Sequence, residues 1–420
     1  MSDYEELKRE LQEAVHRQMD MSREMSDEEI GDIIDRVILD RSHERYMSAM
    51  LKLQLRQELF NAIRRLDLLQ ELIDDKEITE IMVNGSESVF YEKRGRSYVW
   101  DKHFESREKL EDVIQQIVSR SNRRVNTSSP IVDARLEDGS RVNVVLDPVA
   151  LNGPILTIRK FPEKRMTMED LISWGSITRE AADFLGQLVA AGYNIFVSGA
   201  TSSGKTTFLN VLADDIPGNT RIITIEDSAE LRLHDIDNLV RLEVKPAGSE
   251  GTAGVTIRDL IKTSLRMRPD RLIVGEVRGP EALDMIQAMN TGHDGSMSTG
   301  HANSPEDMLS RLETMILMGT DMPLKAVRKQ IASSLDIIVH LGRLRDHTRR
   351  VMEITEVLDL KDDEYVLNPL FVFKEDRNIL RDPGTPFGEE TLPRIHGKLE
   401  RTGNSLKSRH KLDMNSGATA

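Results

Sequence analysis

The residues best suited to chemistry form one continuous run, Gly199-Ala200-Thr201-Ser202-Ser203-Gly204-Lys205-Thr206-Thr207. They fit the spacing GxxxxGK[ST], in which glycines let the backbone turn its amides inward on phosphate oxygens. Asn194-Ile195-Phe196-Val197-Ser198 before the run reads as a buried strand. Phe208, Leu209, Val211 and Leu212 after it give a helical stripe. Strand, glycine loop and helix are the setting this motif requires, and the new helix adds free amides and a positive dipole end. In that setting Lys205 reaches β- and γ-phosphates, and the Thr206 hydroxyl can bind Mg²⁺.

Three later segments carry groups that a phosphate site could use. Arg221-Ile222-Ile223-Thr224-Ile225-Glu226-Asp227 reads as a strand ending in two carboxylates, a place from which a water can be oriented. Arg271-Leu272-Ile273-Val274-Gly275-Glu276 is a second apolar strand with an acidic end. It resembles a Walker B strand, with Gly275 where many phosphate-loop enzymes carry aspartate. Glu276 must then serve the Mg²⁺ shell or the water without that neighbour. Asn290 to Gly295 and Ser298 to Asn303 place His293 and His301 among small residues in a compact polar loop.

These segments need a scaffold to bring them together, and the chain has room for one. Its 420 residues suggest two to three domains, and 39% apolar content is enough for real cores. With 4% aromatics those cores must rest on Leu, Ile, Val and Met. The absence of cysteine excludes a disulfide framework, a thiol nucleophile and a cysteine-ligated zinc module. A net charge of −14 and few aromatics argue against nucleic acid as a partner. No apolar run is long enough to span a bilayer, and the start lacks a secretory signature, so membrane association is expected only through a partner.

Periodicity divides the chain. Residues 1–66 read as a helical bundle, with Leu7, Leu11 and Val15 and then Ile30, Ile33, Ile34 and Val37 at helical spacing. Ser26-Asp27-Glu28-Glu29 has the form of a helix start. Residues 67–161 read as an α+β module: a strand over Ile78–Gly85 that ends in a turn, strands at Ser88–Glu92 and Ile155–Arg159, a helix from Glu108 to Ser121, and a hairpin around Glu137-Asp138-Gly139-Ser140. Residues 162–168 read as a linker. From 169 to 373 helix and strand alternate, which favours a largely parallel α/β sheet with covering helices. Residues 374–420, rich in charge, Gly and Pro, read as a tail, partly disordered or forming a small helical extension.

Taken in order, GATSSGKTT, ITIEDSAEL, LIVGEVRG and STGHANS resemble the Walker A loop, acidic box, Gly-Glu Walker B strand and histidine box of bacterial type II and type IV secretion ATPases. EIMVNG, DARLEDGSRVNVV and GPILTIRKF resemble the module that precedes their motor domain. With the helical start, the set is similar to the CpaF/TadA-type ATPases of the Tad (Flp) pilus. The resemblance runs from about Ile78 to Val351. It implies a RecA-like motor domain behind a PAS-like α+β module, ATP and Mg²⁺ as cofactors, and a homohexameric ring. It also implies a cytoplasmic protein, peripheral to the membrane through an inner-membrane platform protein. Lys205, Glu226, Glu276 and His301 match catalytic positions, with Glu226 activating water and Glu276 joining Thr206 at the metal. Arg135, Arg141 and Arg159 match positions that approach nucleotide from the same or a neighbouring subunit. Many extension ATPases of the wider family carry a tetracysteine zinc module, which this chain cannot form. A conjugative or effector type IV secretion ATPase, a nucleic-acid-translocating motor and a low-turnover nucleotide-gated scaffold are the competing readings.

Overall fold

The computed structural model describes residues 3–20, 22–23, 25–93, 95–121, 123–161, 165–245, 253–376 and 395–416. The chain divides into two compact units, Met1–Lys164 and Arg165–Ala420.

The first unit opens with helices α1 (Asp3–Gln18), α2 (Asp27–Glu44) and α3 (Ala49–Arg64). Their apolar stripes meet in one cluster that includes Leu7, Leu11, Val15, Ile30, Ile34, Leu55 and Leu59. Ser26 caps α2 reciprocally: its hydroxyl accepts from the Glu29 amide, and the Glu29 carboxylate accepts from the Ser26 amide. The chain continues as α4 (Leu69–Asp74), β1 (Ile78–Asn84), β2 (Val89–Lys93), β3 (Arg96–Val99), α5 (Arg107–Arg120), β4 (Ile131–Arg135), β5 (Arg141–Val145) and β6 (Ile155–Arg159). The strands form an antiparallel sheet in the order β3-β2-β1-β6-β5-β4. Leu110, Val113, Ile114 and Ile117 of α5 share a core with Ile81, Val83, Val142, Val144, Leu156 and Ile158 of the sheet. Strand alternation turns the intervening residues away from that core.

The second unit runs α6 (Met168–Ser173), α7 (Arg179–Ala190), β7 (Ile195–Gly199), α8 (Lys205–Leu212), β8 (Arg221–Glu226), β9 (Asn238–Glu243), α9 (Ile257–Ser264), β10 (Arg271–Val274), α10 (Glu281–Asn290), β11 (Met297–Gly300), α11 (Pro305–Leu317), α12 (Leu324–Ser334), β12 (Ile337–Arg343), β13 (Arg349–Lys361), β14 (Glu364–Glu375), β15 (Gly397–Arg401) and α13 (His410–Ser416). Its sheet has the order β15-β14-β13-β12-β7-β11-β10-β8-β9. From β12 to β9 every pairing is parallel. One face packs on α7 and α8, the other on α9 to α12. The short apolar strands β7, β8 and β10 are buried along nearly their whole length, as a sheet covered on both faces demands.

The sheet is largely parallel, as expected, and β13, β14 and β15 extend it antiparallel. One expectation is corrected: the segment from 374 onward is not wholly a tail where it is described, since β14 runs to Glu375, β15 pairs with it from Phe371↔Arg401 to Glu375↔Gly397, and only α13 answers to a small helical extension. The remainder of the expected tail, 377–394 and 417–420, lies outside the described residues, as do 162–164 of the expected linker. That linker's end is already structured, since Thr167 caps α6 by accepting from the Asp170 amide.

The C-terminal segment adds Leu399 and Leu406 to the core of the second unit and is also held by polar anchors. The buried Glu356 carboxylate on β13 accepts from the Lys407 and Ser408 amides and from Asn368 Nδ2. Lys411 Nζ lies 2.7 Å from Asp294 and 2.8 Å from Asp336. Glu356→Ala removes the acceptor of the Lys407 and Ser408 amides and one of the two acceptors of Asn368 Nδ2. We expect a loss of about 3 kcal/mol in denaturant unfolding and faster amide exchange at 405–411, with 195–205 unaffected. Unchanged exchange at Lys407 and Ser408 would refute this anchoring role.

Candidate active site

Strand β7 delivers the chain to a loop whose shape two glycines permit. A Cβ on Gly199 would lie 2.5 Å from the Leu341 carbonyl oxygen and 2.6 Å from Ser203 Oγ, so no side chain fits there. Gly204 has φ +93° and starts α8 in the left-handed region, where L side chains are strained. Ser202, at the loop apex, also has a positive φ, of 61°. Thr206 is half-buried and Thr207 exposed on the first turn of α8, whose amides face the loop end of the helix.

Lys205 is only 8% exposed and folds back on the loop. Its ammonium donates to the carbonyls of Gly199 at 3.1 Å and Ala200 at 3.0 Å. Burial pulls its pKa down, and the Glu276 charge partly offsets this. The ammonium also lies 3.2 Å from His301 Nδ1. On the other side of that ring, His301 Nε2 lies 2.8 Å from Glu276 Oε1. A protonated lysine can only donate, and a carboxylate can only accept. The connected arrangement therefore assigns the neutral tautomer with the proton on Nε2. Burial and then the Lys205 charge hold His301 below its ordinary pKa, against Glu276, which agrees with a neutral ring. Adjacent strands create this chain: β10 and β11 pair in parallel, so Glu276 and His301 emerge together at the carboxyl edge beside the loop.

Of the two carboxylates ending β8, only Glu226 turns inward. It is 3% exposed, and its Oε2 accepts from the amides of Glu230 at 2.8 Å and Leu231 at 2.9 Å. Oε1 is buried and finds no partner among the described residues. Burial pushes this carboxyl up to about 7, with the two amides opposing. Asp227 instead forms an ion pair with Arg278. The two histidines separate in the same way, since His293 Nδ1 donates to the Ala288 carbonyl at 3.1 Å near the end of α10.

Several contacts have no counterpart in the motif reading. Arg349 on β13 donates through Nε to the Ser202 carbonyl at 2.8 Å, bracing the loop apex. Thr299 Oγ1 donates to the Gly275 carbonyl at 2.7 Å and ties the ends of β10 and β11. Ser198 Oγ lies 2.9 Å from His340 Nδ1. Thr299 sits inside the STGHANS segment and could have been flagged, whereas Arg349 stands 147 positions from Ser202 with no spacing that links them. Arg135, Arg141 and Arg159 belong to the first unit, where register aligns them: Arg135 faces Arg141 across β4 and β5, and Arg141 faces Arg159 across β5 and β6.

The family model described as "Type II/IV secretion system protein" matches residues 64–381. Type IV secretion system protein VirB11 of Brucella suis is 34% identical over 70% of this chain and 88% of its own length. An uncharacterised Methanocaldococcus jannaschii protein, MJ0781, is 41% identical over 56% of this chain, which spans only 34% of that relative. Among solved structures, the ATPase DotB of Yersinia pseudotuberculosis aligns over 71% of this chain and 79% of its own, with TM-score 0.51 and 17% identity, a likeness of fold. With its phosphate-type loop at the edge of a covered parallel sheet and a family match across most of its length, this chain belongs to the type II/IV secretion system protein family.

Proposed function

We propose that this chain is an ATP-hydrolysing motor, working as a homohexameric ring that powers assembly of a Tad-type or related type IV pilus, with retraction by the same ring as a further role. The observation that carries the reading is the connected chain Lys205–His301–Glu276, beside a buried Glu226 with one unpartnered oxygen. In this reading the second unit is a RecA-like motor, and the sheet of the first unit is a PAS-like module behind a helical bundle. Nucleotide draws Lys205 off the loop carbonyls and onto the β- and γ-phosphates. His301 keeps Glu276 oriented. Glu226 takes the proton of the attacking water as the terminal P–O bond breaks and ADP leaves.

Thr206 and Glu276 are the residues that would hold Mg²⁺. Their hydroxyl and carboxylate are hard oxygen donors of the kind this ion takes. Among the described residues no cluster of three His, Asp or Glu makes a dedicated cage, which suits an ion bound through one or two side chains, phosphates and water. Bound there, the ion would supply charge neutralisation for the transferring phosphoryl group.

No described helix is long and apolar enough to cross a membrane. We assign the ring to the cytoplasm, peripheral to the membrane through an inner-membrane platform protein. A conjugative or effector type IV secretion ATPase is the second reading, favoured by the VirB11 likeness. Mass photometry with a nonhydrolysable ATP analogue should show six-subunit rings, and added DNA or RNA should leave ATP turnover unchanged. A monomer under all nucleotide conditions, or strong stimulation by nucleic acid, would overturn the assignment.

The pH dependence follows from Glu226. A general base must be ionised, and this carboxyl is pushed up to about 7. The kcat should therefore rise as pH passes through about 7, instead of being flat from pH 5.5 to 8, the range about the usual carboxylate value would give. Glu226→Gln should bind ATP yet lose this rise along with most turnover. A profile that is flat from pH 5.5 upward in the wild type would remove Glu226 from the base role.

A further inference from the structure

We propose that Gly275 is a positioning residue for Glu226: its missing side chain is the slot in which the Glu226 side chain lies. This rests on the ATPase reading only for its kinetic consequence. The packing stands on its own.

Strands β8 and β10 are parallel neighbours, with Ile225 opposite Val274, so Glu226 and Gly275 follow side by side. A Cβ built on Gly275 would lie 3.0 Å from Glu226 Cγ and 3.6 Å from both Cβ and Oε2 of the same residue. Gly275 is not among the positive-φ glycines, so backbone freedom does not explain it. Space does. Neither wall of the slot is free to retreat. The Gly275 amide donates to the Ile225 carbonyl at 2.8 Å, and its own carbonyl accepts from Thr299 Oγ1 at 2.7 Å. Glu226 is fixed by the Glu230 and Leu231 amides on Oε2, and moving it breaks buried hydrogen bonds.

The departure from the usual Walker B pattern thereby acquires a physical reason. An aspartate at 275 would start its side chain against Glu226 Cγ and force a second carboxylate into the space the first one occupies. Here the position is kept empty so that the neighbouring strand can supply the acid. The slot also aims that acid: with Oε2 tethered and Cγ confined, Oε1 is the oxygen of this carboxylate left buried and without a partner among the described residues.

The test is a cycle of Gly275→Ala and Glu226→Ala in the full-length protein. Gly275→Ala adds one methyl group, displaces the carboxylate by a few tenths of an ångström, and should lower kcat about 10²-fold while KM for ATP and affinity for a nonhydrolysable analogue hold within about twofold. Glu226→Ala removes the Cγ that the methyl group would meet. In that background Gly275→Ala should lower kcat no further, and its effect on melting should vanish from about 2–4 °C to none. Wild-type kcat in Gly275→Ala would overturn the proposal, and so would an equal loss of Tm in both backgrounds. A joint loss of nucleotide affinity and kcat would also overturn it, since that pattern marks a merely structural glycine. If the unmodified protein hydrolyses no ATP, the functional reading fails, and the Tm cycle still decides whether the slot exists.

Discussion

Lys205→Ala should abolish ATP turnover, by about 10²–10³-fold or more, and should do so without unfolding the protein. The ammonium is the one charge in the loop that can follow the β- and γ-phosphates into the transition state. Alanine removes it outright. The same substitution cuts the chain that runs through His301 to Glu276, because His301 Nδ1 loses its donor. Stability should move the other way. Lys205 is buried, and burial already pulls its pKa down, so removing the cation relieves a desolvation cost. The hydrogen bonds it makes to Gly199 and Ala200 offset part of that gain. We expect a Tm equal to or above wild type together with a dead enzyme. Near-normal turnover in a folded Lys205→Ala protein would sink the phosphate-loop assignment. A collapse in Tm would show that the loop depends on the ammonium as an internal strut.

What was legible in the sequence divides by range. The phosphate loop is contiguous, and its strand and helix flank it directly, so composition and spacing were sufficient. Glu226, Glu276 and His301 sit at strand ends and could be placed at one edge of a parallel sheet once the strands were recognised. The resemblance singled out Glu226 over Asp227, but the physical reason is side-chain direction, which alternation gives only after the strand's last residue is known. Arg349 could not be found, because its contact with Ser202 depends on β13 folding back beside β12, far along the chain. The last strands were missed for a related reason. β15 is Gly-Lys-Leu-Glu-Arg, a polar sequence held by backbone pairing to β14, while the neighbouring 405–411 segment is held by the buried Glu356 and carries no apolar period of its own. Gly275 stood out as a departure, but its reason lies in a side chain on another strand.

Removing one arginine of the row formed by Arg135, Arg141 and Arg159 is the second large effect we expect, ~10³-fold in turnover if that arginine meets the transferring phosphoryl group. Strands in a sheet lie ~5 Å apart, so the alignment sets three cations side by side. Like charges directly opposite are destabilising. An arginine that reaches the transferring phosphoryl group would stabilise its charge, and that is the role the turnover measurement tests. The row ends against Glu80, which pairs with Arg159. The Glu80 carboxyl is pushed up by burial and by Glu92, with Arg159 opposing. The competing account makes each arginine a surface ion-pair member, worth about 1 kcal/mol or less and without consequence for catalysis. Steady-state turnover of the three single Arg→Ala variants separates the two by orders of magnitude. Mixed rings then ask whose site each arginine serves: Lys205→Ala subunits combined with Arg→Ala subunits recover activity only if the arginine acts on a neighbour's nucleotide. Near wild-type turnover in all three variants would leave the first unit with partner binding alone.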